Sequence, residues 1–132
     1  MKTIQKLLAV GGRLLLSAIF ISSGYHKITG WEQTGDFMAT KGLPLVPVLL
    51  GGAILFEIVG GLSIVVGFKA RIGAAMLIVF LIAATVIFHN FWGYEGPQQQ
   101  DQLIHFMKNL AILGGLIQIA AVGPGPWSID NR

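Results

Sequence analysis

The sequence predicts an all-α fold: a four-helix transmembrane bundle, antiparallel, with both termini cytoplasmic. Three observations lead there. Four segments are each apolar over roughly 17–25 residues, the length that crosses a bilayer as a helix. Of 132 residues, 54% are hydrophobic and 11% charged, where a soluble domain carries about 25% charged residues. Glycine, proline and charge cluster between the segments, as they do where helices stop.

The first segment runs from about Leu7 to Ile28. Its lead, Met1-Lys2-Thr3-Ile4-Gln5-Lys6, is similar to that of a secretory signal. Arg13 interrupts the apolar run and no A-x-A site follows, so the segment reads as a retained helix. The second segment, about Val46 to Phe68, follows Gly42-Leu43-Pro44. Pro47 falls in its first turn, where a missing N–H does no harm. The third runs from about Ile72 to Trp92, and the fourth from about Leu103 to Val122. Gly123-Pro124-Gly125-Pro126 stops the fourth. Thr29–Leu45 and Gly93–Gln102 read as loops, and residues 1–132 as one domain.

Loop cations set the expected orientation. Lys2, Lys6, Arg13, Lys69, Arg71 and Arg132 fall on one side; Lys27, Lys41 and Lys108 fall on the other. The first side is therefore expected in the cytoplasm. Tyr25, Trp31, Trp92 and Tyr94 would form an outer aromatic belt, and Trp127 the inner one.

Composition removes several functions. With no cysteine there is no disulfide, thiolate metal site, iron–sulfur cluster, CxxC redox pair or covalent c-type haem. No loop is long enough to hold a catalytic domain, and Ser17, Ser22, Ser23 and Ser63 lack a base nearby in sequence. The expected surroundings are the lipid bilayer, not nucleic acid.

Glu57 is the exception in its span. About ten apolar residues flank it on each side, which places its carboxyl ~15 Å from either end of the helix. A charge near the bilayer centre costs about 2.5–3.5 kcal/mol on insertion scales. Ala53, Gly60 and Gly61 lie at −4, +3 and +4 from Glu57 and share its face. Small residues mark the side where membrane helices approach, so Glu57 is expected to face the bundle. Its role is either structural or that of a proton relay.

Arg13 is the first candidate partner. On the first helix Arg13, Ser17, Phe20, Gly24 and Lys27 fall within ~40° of one line, and that stripe should face inward. Two placements are open to Arg13: an intramembrane ion pair with Glu57, or an anchor at the cytoplasmic interface, toward which its side chain leans. The remaining titratable groups gather at the other side: His26, Lys27, His89, His105 and Lys108, with Asn109 and Gln118 on the fourth helix. No histidine pair has i,i+4 spacing, so no metal ligand set is assigned. A pocket for a lipophilic carbonyl compound is the other reading, with His89 and Lys108 as donors and Trp92 or Phe106 as walls.

The chain resembles the DoxX family of small four-helix bacterial membrane proteins. The resemblance rests on Arg13 with Phe20-x-x-x-Gly24-x-x-Lys27, Gly42-Leu43-Pro44, Glu57-x-x-Gly60-Gly61 and Gly67-Phe68-x-x-Arg71. It continues through His89, Lys108-Asn109 and the ending Gly123-Pro124-Gly125-Pro126-Trp127-Ser128-Ile129-Asp130. It implies a multi-pass protein of the bacterial inner membrane, associated with an oxidoreductase and possessing no redox centre of its own. It further implies quinone as the cofactor, membrane or soluble redox subunits as partners, and Lys27, His89, Lys108 and Asn109 as binding residues. Arg13 and Glu57 would form the ion pair or relay. A non-enzymatic scaffold or accessory subunit is the alternative, a proton or small-molecule transporter a third reading, and homo-oligomerisation is compatible with each.

Overall fold

In a computed structural model, residues 1–130 are described. They form five α-helices: α1 (Thr3–Thr29), α2 (Trp31–Thr40), α3 (Val46–Val66), α4 (Ala70–Phe88) and α5 (Pro97–Val122), with a 3₁₀ turn at Phe91–Gly93. Helices α1, α3, α4 with its following turn, and α5 are long and apolar enough to cross a membrane. Arg132, counted above among the cytoplasmic cations, lies outside the described residues.

The differences from expectation lie at the polar ends. Helix α1 starts at Thr3 and α5 at Pro97, because Lys2-to-Lys6 and Gln98-Gln99-Gln100 continue the helices beyond the apolar stretch. Glutamine and lysine are good helix formers, and Pro97 occupies the first turn. Helix α4 ends earlier than expected, at Phe88, with His89 as its C-cap. The chain then turns so that Phe91 packs edge-on against Phe106, with ring centroids 5.2 Å apart.

The segment expected as the Thr29–Leu45 loop contains α2. This helix is too short to span. It buries Met38 and leaves Glu32, Gln33 and Asp36 exposed. Such a one-sided helix lies along the bundle end, not through it.

The long helices alternate in direction. Helix α1 packs on α3, α3 on α4, and α4 on α5. The ring is loosest between α1 and α5, which meet around Leu16 and Gly115. Phe20, Ile64, Ala74, Leu77, Leu81 and Leu116 form the core. Helix α3 owes its two close neighbours to glycine. A Cβ on Gly60 would lie 2.7 Å from Leu77 Cγ on α4, and one on Gly61 would lie 2.7 Å from Ile21 Cγ1 on α1. The expected inward stripe of α1 is the buried one: Arg13, Ser17, Phe20 and Gly24.

Both termini and the α3–α4 turn lie at one end of the bundle, and α2 lies at the other. At the termini end the tail folds back across the helices. Arg13, 5% exposed, donates from Nη1 to the carbonyls of Pro124 (2.9 Å) and Pro126 (3.0 Å) and from Nη2 to that of Trp127 (3.0 Å). The Asp130 carboxylate accepts from the Lys69 and Ala70 N–H groups at 2.8 and 2.9 Å, which caps the start of α4.

Candidate functional site

Glu57 has its cation, and it is Lys27. Lys27 Nζ lies 2.7 Å from Glu57 Oε1, with the side chains 22% and 3% exposed. This corrects the expected Arg13–Glu57 pair. The reason is the lean of helical side chains toward the N-terminus of their own helix. Helices α1 and α3 run in opposite directions, so Lys27 leans down from the α2 end while Glu57 leans up toward it. Arg13 leans away from Glu57 and is taken by the carbonyls of the tail. Gly24, one turn before Lys27, lets the helices close: a Cβ there would lie 3.4 Å from Glu57 Cβ and 2.6 Å from Ile58 Cδ1.

Lys27 has two further contacts. It donates to Ser23 Oγ at 2.7 Å, one turn back on the same helix. Its ammonium also sits over the Phe80 ring, 5.7 Å from the centroid. Glu57 is less well served. Its Oε1 is fully buried and makes a charge contact with Lys27, but no donor is aligned on it for a hydrogen bond.

A cavity of about 470 Å³ opens beside this pair, in the half of the bundle toward α2. Helix α1 contributes Ile19, Phe20, Ser23, His26 and Lys27; α3 contributes Ala53 and Glu57. Phe80, Ala84 and Phe88, on one stripe of α4, form the opposite wall with Leu81 and His89. Asn109 and Ile112 come from α5. Helix α2 lies over the cavity through Thr34, Phe37 and Met38. It is held by a Phe37–Phe88 stack at 5.7 Å and by Lys41 Nζ, which donates to the Tyr94 hydroxyl at 2.6 Å. The least closed side lies between α1 and α5, where Ile19 is half exposed.

The other expected site residues divide. His89 and Asn109 line the cavity. His89 Nδ1 is 2.8 Å from Gln102 Oε1, and its ring stacks on that of His105 at 5.0 Å. Asn109 Nδ2 donates to Thr85 Oγ1 at 2.9 Å. Lys108 is exposed and does not line the cavity. One residue is 100° of helix rotation, so turning Asn109 inward turns Lys108 out. Trp92 and Phe106, the expected walls, pack on each other and on Phe91 away from the cavity. Gln118 is exposed. Among the described residues no three His, Asp or Glu side chains are grouped to hold a metal ion.

The aromatic lining Phe37, Phe80 and Phe88 was not foreseen, nor was Ser23. The Phe80-x-x-x-Ala84-x-x-x-Phe88 stripe and the Ser23-x-x-x-Lys27 spacing were the available signals. A second cavity of about 560 Å³ lies at the termini end between Lys69, Arg71, Val122 and Asp130. Its carboxylate is committed to the start of α4. Among the described residues, the buried side-chain nitrogen and oxygen atoms without a hydrogen bond are Glu57 Oε1 and Asn90 Oδ1, and Glu57 lines the cleft beside α2. That atom singles out the cleft at the α2 end.

The profile of the DoxX family matches residues 8–90. The chain is 36% identical to the inner membrane protein YqjF of Escherichia coli K12, over 99% of this chain and 95% of that protein. It is 32% identical to the inner membrane protein YphA of the same organism, over 91% of this chain and 86% of that protein. A Surfeit locus protein 4 homolog of Drosophila melanogaster is 26% identical over 97% of this chain, which corresponds to 42% of that longer protein. No solved structure matches. The chain belongs to the DoxX family.

Proposed function

We propose that this DoxX-family membrane protein is the membrane subunit of a redox system and binds a quinone-type head group in the Lys27–Glu57 cleft. The observation that carries the reading is a buried ion pair opening onto an aromatic-walled cavity of about 470 Å³. A quinone ring is flat and apolar, with polar atoms only at opposite edges. Phe37, Phe80 and Phe88 supply apolar walls for such a ring, and Lys27, Glu57, His89 and Asn109 supply polar contacts. An isoprenoid tail leaves toward lipid through the loose α1–α5 side. This placement differs from the expected one in three ways. Lys108 drops out, Lys27 becomes central, and Glu57 joins the binding site instead of standing apart with Arg13.

Converting a quinone to its hydroquinone takes two electrons and two protons. Glu57 and Lys27 are placed to exchange protons with the head group. The electrons come from a partner protein, since a chain without cysteine has no thiol-based redox centre. Helix α5 buries only Leu116 in the bundle, which leaves its outer faces to lipid and such a partner. In this reading the protein lies in the bacterial inner membrane with the termini end cytoplasmic, as the excess of loop cations favours. That same open α5 favours a second reading, an accessory subunit with no ligand.

The test is calorimetric titration of the protein in lipid nanodiscs with a short-tail quinone and hydroquinone pair. The expected result is saturable binding of the pair, weakened at least tenfold by Lys27→Met. No saturable binding of either form would overturn the reading. In that case an effect of Glu57→Gln on abundance or assembly alone would leave the accessory subunit.

A further inference from the structure

We propose that the cavity at the termini end holds the head group of an anionic phospholipid, a phosphodiester with one negative charge whose acyl chains run along the outside of α4 and α5. This site is independent of the Lys27–Glu57 cleft, with which it shares no lining residue.

The cavity, about 560 Å³ in volume, forms where α4 begins and α5 ends. Both helices are long and apolar enough to cross a membrane, so the cavity stands at the level where hydrocarbon gives way to head groups. Its lining has two kinds of surface. Lys69 and Arg71 bring an ammonium and a guanidinium, while Ile72 and Val122 bring apolar side chains that are 60% and 70% exposed. On the outside of a membrane bundle, apolar side chains so exposed meet lipid tails. A ligand that satisfies both surfaces is charged at one end and apolar at the other, as a membrane phospholipid is.

The charges favour an anion. Among the described residues, neither Lys69 nor Arg71 has a carboxylate within ion-pair distance. Lys69 Nζ sits over the Phe68 ring, 5.6 Å from its centroid. Asp130 also lines the cavity, but its two oxygens accept from the Lys69 and Ala70 N–H groups at 2.8 and 2.9 Å. The lining thus carries one net positive charge, two cations against one carboxylate, and a single phosphodiester neutralises it. A phosphatidylglycerol head group adds no further charge. A phosphatidylethanolamine head group brings an ammonium of its own, which Lys69 and Arg71 repel.

The wall facing α4 is fixed in shape. Gly123 and Gly125 have φ of 87° and 84°, which glycine adopts without strain. Buried Arg13 holds the carbonyls of Pro124 and Pro126 beside them. The Arg71 guanidinium lies along this wall: a Cβ on Gly123 would stand 3.5 Å from its Nε and 3.6 Å from its Nη2. A guanidinium offers paired N–H donors to two phosphate oxygens, and a lysine adds a point charge. Scattered surface cations attract anionic lipid without retaining any one molecule. A walled cavity with cations at one side and lipid-facing residues at the other retains one.

The experiment is native mass spectrometry of the full chain released from micelles, with phosphatidylglycerol or phosphatidylethanolamine of the same acyl chains added. One phosphatidylglycerol should be retained about tenfold more tightly than phosphatidylethanolamine. Arg71→Gln and Lys69→Gln should each weaken its retention about fivefold. Lys6→Gln, which removes a cation at the same end but outside the cavity, should leave retention unchanged. Equal retention of the two lipids, or an equal loss in Lys6→Gln, would overturn the site in favour of diffuse attraction to the membrane surface. Displacement of the lipid by an equal concentration of inorganic phosphate would overturn the lipid assignment and leave a site for a soluble phosphate.

Discussion

Replacing Lys27 by methionine is expected to destabilise the bundle by about 3–5 kcal/mol. Two opposite charges at 2.7 Å attract by roughly 6 kcal/mol at an effective dielectric constant of ~20. Partial exposure of Lys27, and the desolvation of both groups, offset part of that attraction. Deleting one member of a buried pair nonetheless leaves the other charge alone, and such deletions typically cost about 3–5 kcal/mol. Methionine keeps the apolar stem, so packing against Phe80 changes little. The assay is reversible unfolding in mixed micelles followed by helical circular dichroism, arranged as a double-mutant cycle with Glu57→Leu. Each single variant should be destabilised. The double variant should recover most of the loss, giving a coupling of at least about 2 kcal/mol. The matching cycle between Arg13→Met and Glu57→Leu should be additive within about 0.5 kcal/mol, because the two residues belong to separate networks. Additive behaviour of Lys27 and Glu57, or coupling of Arg13 to Glu57, would refute the assignment.

Other substitutions probe the surroundings of the pair. Arg13→Lys should release the tail at Pro124–Asp130 to limited proteolysis and lower stability by about 2–3 kcal/mol, since one ammonium cannot replace a guanidinium that donates to four carbonyls, those of Val65, Pro124, Pro126 and Trp127. Gly24→Val should lower the melting temperature through a loss of about 1–3 kcal/mol, because its Cβ would meet Ile58 Cδ1 at 2.6 Å and push α1 from α3. Tyr94→Phe removes the hydroxyl that accepts from Lys41. Faster amide exchange should then appear in α2 while α3 and α4 are unchanged, with a loss of about 0.5–1.5 kcal/mol.

The spans were legible because a bilayer demands them: nothing but long apolar helices explains four such runs in so short a chain. The inward faces were legible too. Small and polar residues at helical spacing stood out against lipid-facing leucine and isoleucine, and Ser17, Phe20, Gly24, Gly60 and Gly61 are buried as that pattern implies. Pairing was harder. Charge count and depth leave both Arg13 and Lys27 as partners for Glu57, and the choice turns on the lean of side chains on antiparallel helices together with the register fixed by Gly24. Two placements stayed open for Arg13 because its acceptors are backbone carbonyls of a tail more than a hundred residues away, at Pro124, Pro126 and Trp127. No side-chain pattern advertises a carbonyl. Helix α2 was missed because Gly30, Gly35 and a polar composition look like loop, whereas the helix is stabilised by seating Met38 and Phe37 on the bundle. Lys108 and Asn109 are adjacent in sequence and nearly a third of a turn apart in space, so only one of them could face the cleft.

Photolabelling tests the assignment of the cleft most directly. A short-tail quinone carrying a photoreactive group would be irradiated with the protein in nanodiscs and the labelled peptides mapped by mass spectrometry. Labels are expected to concentrate on Phe37–Met38 and Phe80–Ala84, to fall at least tenfold in Lys27→Met, and to be competed away by unlabelled hydroquinone. Labels spread over exposed lipid-facing positions such as Leu15 and Val79, indifferent to competitor and to Lys27, would contradict the assignment of the cleft as the binding site.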